Sequence, residues 1–167
     1  MEEESPIKTL MHTWKQPGSV KWIGVRPARR APLESLVSVE AITGKGLAGD
    51  RSAERKKDSK RQVTLIQAEH LSAVANILGV TEIDPGDVRR NIVVAGINLL
   101  SLKGQQIQIG SAILEITGPC HPCSRMEENL GKGGYNAMRG HGGWCTKVVQ
   151  GGTIEVGDEI ISSRWSG

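Results

Sequence analysis

Glycine cuts this sequence into short pieces. Twenty-one glycines fall between aliphatic runs such as RQVTLI, NIVVAG, QQIQIG, SAILEITG and TKVVQGG. Runs of this length, rich in Val and Ile and bounded by turn residues, read as strands rather than helices. SVKWIGVRP (19–27) reads as a first strand ending at Pro27. LESLVSVEAI (33–42) alternates with period two, Val37, Val39 and Ala41 forming one apolar face. TGKGLAGDR (43–51) is a turn or a loop of close backbone approach. Further strands are expected over 61–66 and 88–97, with two more, 105–110 and 111–118, meeting at Gly110. The segment 145–162 closes the chain, with a hairpin turn at Gly151-Gly152 and another turn at Gly157-Asp158. Only AEHLSAVANILG (68–79) has a clear helical period: Leu71, Val74, Ala75 and Leu78 share a face and Gly79 is placed to cap. Segment 124–134 is expected to begin as a short helix at Ser124 and to end in glycines. This pattern predicts a mainly β fold, a closed or partly open β-barrel with a few short helices.

The 167 residues suit one domain, 19–167, preceded by a flexible N-terminal tail, 1–18. Such a chain buries roughly 70% of its unfolded surface. With no Phe, one Tyr and four Trp, the core must be aliphatic, and there is no row of rings on which bases could stack. The net charge of +3 fits an anionic ligand but not a nucleic-acid-binding protein. No apolar run approaches the roughly 20 residues of a membrane span, and MEEESPIK does not read as a secretory signal. Three cysteines, an odd number, make no disulfide framework, so a reduced, cytoplasmic setting is expected. RSAERKKDSKR (51–61) holds six basic and two acidic residues, either a solvated loop or a cationic flap over an anionic ligand.

The chemistry centres on GPCHPCSRME (118–127). Three readings are open. Cys120-x2-Cys123 with His141-x3-Cys145, 17 residues lying between the pairs, has the spacing of a structural zinc site. CHPC could exchange thiol for disulfide, although that motif belongs with a βαβ pattern that the surrounding strands do not supply. A single thiolate, Cys123, could bind a soft metal, with a helix start at Ser124-Arg125-Met126 to stabilise it and Pro119 and Pro122 to stiffen its loop. A merely buried thiol is the plain alternative. His121 and His141 are ordinary loop histidines or proton donors at such a centre, the glycine-rich turn around His141 lying over it.

GKGLAGDR (44–51), RQVTLIQAEHL (61–71), RRNIVVAGINLLSLKG (89–104), IGSAILEITGPCHPCSRME (109–127) and VVQGGTIEVGDEI (148–160) occur in that order. Together they resemble the MOSC domain, the module named after the C-terminal part of molybdenum cofactor sulfurases. The resemblance spans about residues 20–162 and implies a strand-rich, barrel-like MOSC fold that binds a molybdopterin-type molybdenum cofactor, independent of pyridoxal phosphate. It implies metal or transferable sulfur at Cys123, in PCSRM; Cys120 shares the Pro-Cys step but lacks the basic and apolar residues after it. It also implies pterin or phosphate contacts from Arg89 and Asn91, which two-residue spacing would put on one face of a strand, Arg90 pointing away as a surface charge. Arg51 is a candidate phosphate ligand, and Gln62 and Thr64 either bond the cofactor or form the polar side of an ordinary strand. Asp50 is expected to fix its loop through backbone amides.

By resemblance to short stand-alone bacterial members, the expected activity is reduction of N-hydroxylated compounds, hydroxylaminopurines and amidoximes, at a Cys123-ligated molybdenum. No ferredoxin-type cysteine cluster is present, and the glycines of GKGLAG (44–49) belong to a turn with no helical pattern after it rather than to a nucleotide-binding fingerprint, so a separate flavin or iron–sulfur protein is the expected electron donor. The other expected partners are a small-molecule substrate and, at most, a second copy of the chain. The rival readings are a sulfur or molybdenum cofactor carrier without turnover, and a zinc-stabilised interaction domain.

Overall fold

The computed structural model describes residues 3–55 and 58–165. Its strands are β1 (Gly18–Val25), β2 (Glu34–Leu36), β3 (Ser38–Ile42), β4 (Gly46–Leu47), β5 (Val63–Gln67), β6 (Ile92–Ala95), β7 (Gln106–Ile109), β8 (Ala112–Pro119), β9 (Trp144–Gln150), β10 (Gly152–Glu155) and β11 (Glu159–Ser162). The α-helices are α1 (Pro6–Met11), α2 (Ala68–Leu78), α3 (Arg125–Leu130) and α4 (Gly134–Met138).

The main sheet runs β11-β7-β8-β9-β5-β6-β1-β2, and β11 also pairs with β1. That last pairing closes β1, β6, β5, β9, β8, β7 and β11 into a barrel and removes the free edges that an open sheet would leave. β2 hangs outside the closure, on the far end of β1. The expected mainly β barrel is therefore present, in its closed form. Within the main sheet only β5 and β6 run parallel, the crossover between them being α2. α2 stops where its sequence says it should, at Gly79, whose φ of 70° lets the next residues cap the last turn.

Two apolar clusters arise from the two faces of the wall. Val20, Ile23, Leu65, Ile92, Ile107, Leu114 and their neighbours fill the barrel, and the partly buried Trp14 packs against them. Ile66 and Val93 point the other way, where Leu71, Val74, Met126 and Met138 of the helices cover them. Every residue of β5 is buried because that strand lies between the two clusters. The N-terminal segment carries the exposed helix α1, and the Trp14 indole donates to the Ser101 hydroxyl at 2.7 Å.

Several local expectations are corrected. The period-two segment 33–42 is two strands. Val37 is exposed between them, and β3 leaves the barrel to pair with β10 and β4 in a separate three-stranded sheet. Only Val39 and Ala41 of its apolar face are buried. Gly151-Gly152 does not make a hairpin, and the turn at Gly157-Asp158 is present but joins strands that do not pair. β10 joins β3, and β11 returns to the barrel beside β7. Local alternation cannot report a change of sheet, because each strand still has one inward face. The 88–97 run forms a strand only from Ile92. Pro85 to Val88 is a 3₁₀ turn that Arg89 ends at φ 58°. Segment 124–134 gives α3, and a further helix, α4, comes after its glycines.

Candidate functional site

At one end of β1 and β6 the wall is held by an amide. Asn91 Oδ1 accepts from the Thr64 backbone N–H at 3.1 Å and from the Thr64 hydroxyl at 3.2 Å. Its Nδ2 donates to Gly24 O at 3.1 Å and to Asp50 Oδ1 at 3.3 Å. Asp50 in turn accepts from the backbone N–H groups of Arg26 and Ser52. Burial pushes the Asp50 carboxyl above the ordinary carboxylate range, against the pull of the Ser52 and Asn91 donors. The glycine-aspartate turn at 49–50 is thus tied to both strands, and Asp50 fixes its loop through backbone amides as expected.

A cavity of about 230 Å³ opens beside this clamp. Thr64, Asn91 and Asp50 form part of its lining, and so do Cys123 and His121. Five arginines contribute to its lining, Arg26, Arg55, Arg61, Arg89 and Arg90. Among the described residues the ion pairs within 4.0 Å are His12–Glu4 and Lys147–Glu115, so none of the five is paired with a carboxylate. Arginine charge without carboxylate partners around one cavity favours an anionic ligand there.

The candidates from the sequence divide sharply. Cys123 is exposed and lines the cavity, immediately before α3 and its N-cap Ser124. Cys120 is buried outside the lining, against Cys145. The contact with the Cys145 thiol, together with Arg90 and Arg61 nearby, lowers the Cys120 pKa despite its burial, while the same contact and burial raise that of Cys145. Arg89 lines the cavity from a left-handed turn, not from a strand face shared with Asn91. Arg90, expected at the surface, is 3% exposed. Its guanidinium donates to the carbonyls of Gly142 (2.7 Å), Val88 (2.9 Å) and His121 (3.5 Å), joining the cysteine loop to the His-Gly-Gly turn. A guanidinium with three carbonyl acceptors can be buried, which a strand pattern alone does not reveal.

Thr64 faces the cavity, but its hydroxyl is engaged by Asn91. Arg51 is not in the lining, where Ser52 and Arg55 stand instead. Gln62 lies elsewhere, against a separate hollow with Lys147. Its amide bridges Ser59 O (2.8 Å) and the Val148 N–H (2.9 Å). Gln62→Ala is therefore expected to cost about 1–3 kcal/mol in denaturant unfolding, the scale of stranded buried polar groups, while metal content by elemental analysis stays at the wild-type level.

The cationic flap reading of 51–61 is met in part, since Arg55 and Arg61 line the cavity; Lys56 and Lys57 lie outside the described residues. The zinc set is not assembled. No group of three or more His, Cys, Asp or Glu side chains among the described residues could hold a metal. His141 Nδ1 sits 3.1 Å from Ala137 O and the ring stacks edge-on against His70, at 5.2 Å between centroids. That turn meets the cysteine loop and Arg90 through its backbone. A side chain on Gly142 would strike the Cys120 carbonyl, and Gly143 has φ 84°. Arg26, Arg61 and Arg90 are not recognisable in the sequence as a cluster, because they come from three separate segments. The ARR knot after Pro27 and the basic 51–61 run are the signals that point towards it.

No helix among the described residues is long and apolar enough to cross a membrane. No curated protein matches the sequence. The fold is similar to the YuaD protein of Bacillus subtilis, at 21% identity and a TM-score of 0.73, covering 89% of this chain and 97% of that one. It is also similar to YiiM of Geobacillus stearothermophilus (18% identity, TM-score 0.70, 87% and 75% covered). YiiM of Escherichia coli gives 16% identity and a TM-score of 0.68, with 88% and 69% covered. These likenesses carry the fold. The sequence profile of the MOSC domain matches residues 44–161, from the glycine turn through the cysteine loop to β11, and the chain belongs to the MOSC domain family.

Proposed function

We propose that this protein binds a molybdopterin-type molybdenum cofactor in the arginine-lined cavity and reduces N-hydroxylated compounds there. The family is associated with the molybdenum cofactor. The observation that carries the reading is one exposed thiol, Cys123, sharing a cavity with five arginines that lack carboxylate partners among the described residues. That donor set fits the group: a thiolate is a soft ligand suited to such a metal, and guanidinium forks suit a phosphate.

Cys123 would ligate the metal, and Arg55, Arg61 and Arg89 would hold the anionic parts. Bound there, the cofactor supplies two electrons. The overall change is R–NH–OH + 2e⁻ + 2H⁺ → R–NH₂ + H₂O. The protein's own part is binding, orientation and proton supply. His121, on the same lining, would pass a proton to the departing oxygen. The Asn91–Asp50 clamp keeps the wall rigid behind the reacting groups, and Arg90 fixes the loop that carries Cys123. Electrons come from a separate flavin or iron–sulfur protein.

The test is reduction of 6-hydroxylaminopurine or benzamidoxime by cofactor-loaded protein with a chemically reduced viologen as donor, the product, adenine or benzamidine, being monitored by chromatography. Multiple turnovers are expected with near one equivalent of molybdenum per chain. Stoichiometric molybdenum without turnover would replace the reductase reading with that of a carrier.

A further inference from the structure

A second chamber adjoins the thiol cavity. It encloses about 400 Å³, within the range of roughly 300–1,000 Å³ typical of small-molecule sites. Arg26, Leu33 and Arg89 line both spaces, so the two share a wall; Cys123 belongs only to the first. The second adds Arg30 and Arg125, the apolar surface of Ala31 and Pro32, and the polar groups of Asp84, Asp87 and Asn129.

Two features mark it as built for an anion. The first is charge. Four arginines face two aspartates, yet none of these forms an ion pair within 4.0 Å among the described residues. Asp84 is turned aside, its Oδ1 accepting from the Gly86 N–H at 2.8 Å. The second is backbone conformation. Arg30 has φ 63° and Arg89 φ 58°; the other described non-glycine residue with positive φ is Asp58. Left-handed conformations strain a residue that bears a side chain, and glycine adopts them freely. Twice in one chamber wall the chain places arginine where glycine would be unstrained. At Arg89 that conformation ends the 3₁₀ turn, and at neither position does strand pairing require an arginine side chain.

We propose that this chamber receives a phosphate carried by the substrate, so that the N-hydroxylated base is reduced as its nucleoside monophosphate. The claim rests on the proposed reductase activity. Arg30 and Arg125 take the phosphate, Pro32 and Leu33 offer a flat apolar surface to the base, and the shared wall leads its N–OH to the thiol cavity. The phosphate is a spectator in the reaction and sets specificity. The reactions that supply this substrate would then be those that oxidise or incorporate bases at the nucleotide level.

The test is calorimetric titration of the purified full chain with adenosine 5′-monophosphate, adenosine and inorganic phosphate, before and after cofactor loading. The monophosphate is expected to bind at least about tenfold more tightly than the nucleoside, the effect of one charge-assisted contact. Arg125→Ala should remove most of that difference. Arg30→Gly should do the same while relieving the backbone, so that lost binding cannot be blamed on lost folding. Cys123→Ser should leave it intact. Equal affinities, or variants without effect, overturn the proposal. Loss of monophosphate binding on cofactor loading also overturns it, by giving the chamber to the cofactor's own phosphate. Turnover is a separate readout: the monophosphate of N6-hydroxyadenosine should show a KM at least about tenfold below its nucleoside. Equal KM values sink the substrate assignment, whereas absence of any turnover sinks the reductase reading and leaves the binding result standing.

Discussion

Cys123→Ser, expressed in a host that makes the cofactor, is expected to emerge without molybdenum. A hydroxyl is a hard, protonated donor in place of a soft sulfur. Losing even an outer-shell partner lowers metal affinity roughly 10–100-fold, so losing the ligand itself should exceed that and leave elemental analysis near background. Stability should barely move, within about 0.5 kcal/mol, because the side chain is exposed and packs into neither apolar cluster. Cys120→Ser should behave in the opposite way. Its sulfur is buried against Cys145, outside the cavity lining, so the variant should lose about 1–3 kcal/mol of stability for a polar group moved into the core. Molybdenum should stay. Metal loss in the Cys120 variant with retention in the Cys123 variant would reverse the choice of ligand.

That choice is half legible in the sequence. The Pro-Cys-Ser-Arg-Met order points to Cys123, but C-x2-C spacing alone cannot tell a buried thiol from an exposed one. Two residues that far apart can face opposite sides of a loop, and only the closure of β8 onto β9 decides it: Cys120 N–H bonds Gly143 O at 2.8 Å and draws that cysteine inward. The barrel is readable because short aliphatic runs with period two must bury one face, and its one long helix because four apolar residues recur at helical spacing and end at a glycine. The second sheet is not readable. β3 and β10 obey the same alternation as barrel strands, and their pairing joins Ala41 to Gly152 across more than half of the chain. The arginine cluster is hidden for the same reason, since long-range contacts bring Arg26, Arg61 and Arg89 together. Arg90 misleads because an arginine beside a strand reads as a surface residue, whereas three backbone carbonyls satisfy it inside.

Asn91 offers the sharpest distinction between holding the fold and holding a ligand. Its amide contacts are internal: two donated to it by Thr64, two given to Gly24 O and Asp50 Oδ1. Asn91→Asp keeps the shape and exchanges a donor for an acceptor. One oxygen of the new carboxylate would face the Gly24 carbonyl and the Asp50 carboxylate at the places where the amide nitrogen donated at 3.1 and 3.3 Å. The expected loss at neutral pH is roughly 3–5 kcal/mol, the scale of an uncompensated buried charge. Two carboxylates so close cannot both ionise cheaply, and burial already raises the pKa of Asp50. A carboxyl whose folded pKa lies above its unfolded value adds most stability below the unfolded value, and that contribution is lost as pH rises through the folded pKa. The variant should therefore regain stability as pH falls from neutrality towards the ordinary carboxylate range, with a steeper slope than the wild type, in urea melts across that interval. Unchanged stability together with lost molybdenum would mean that the amide serves the cofactor directly and that the wall is held by other bonds.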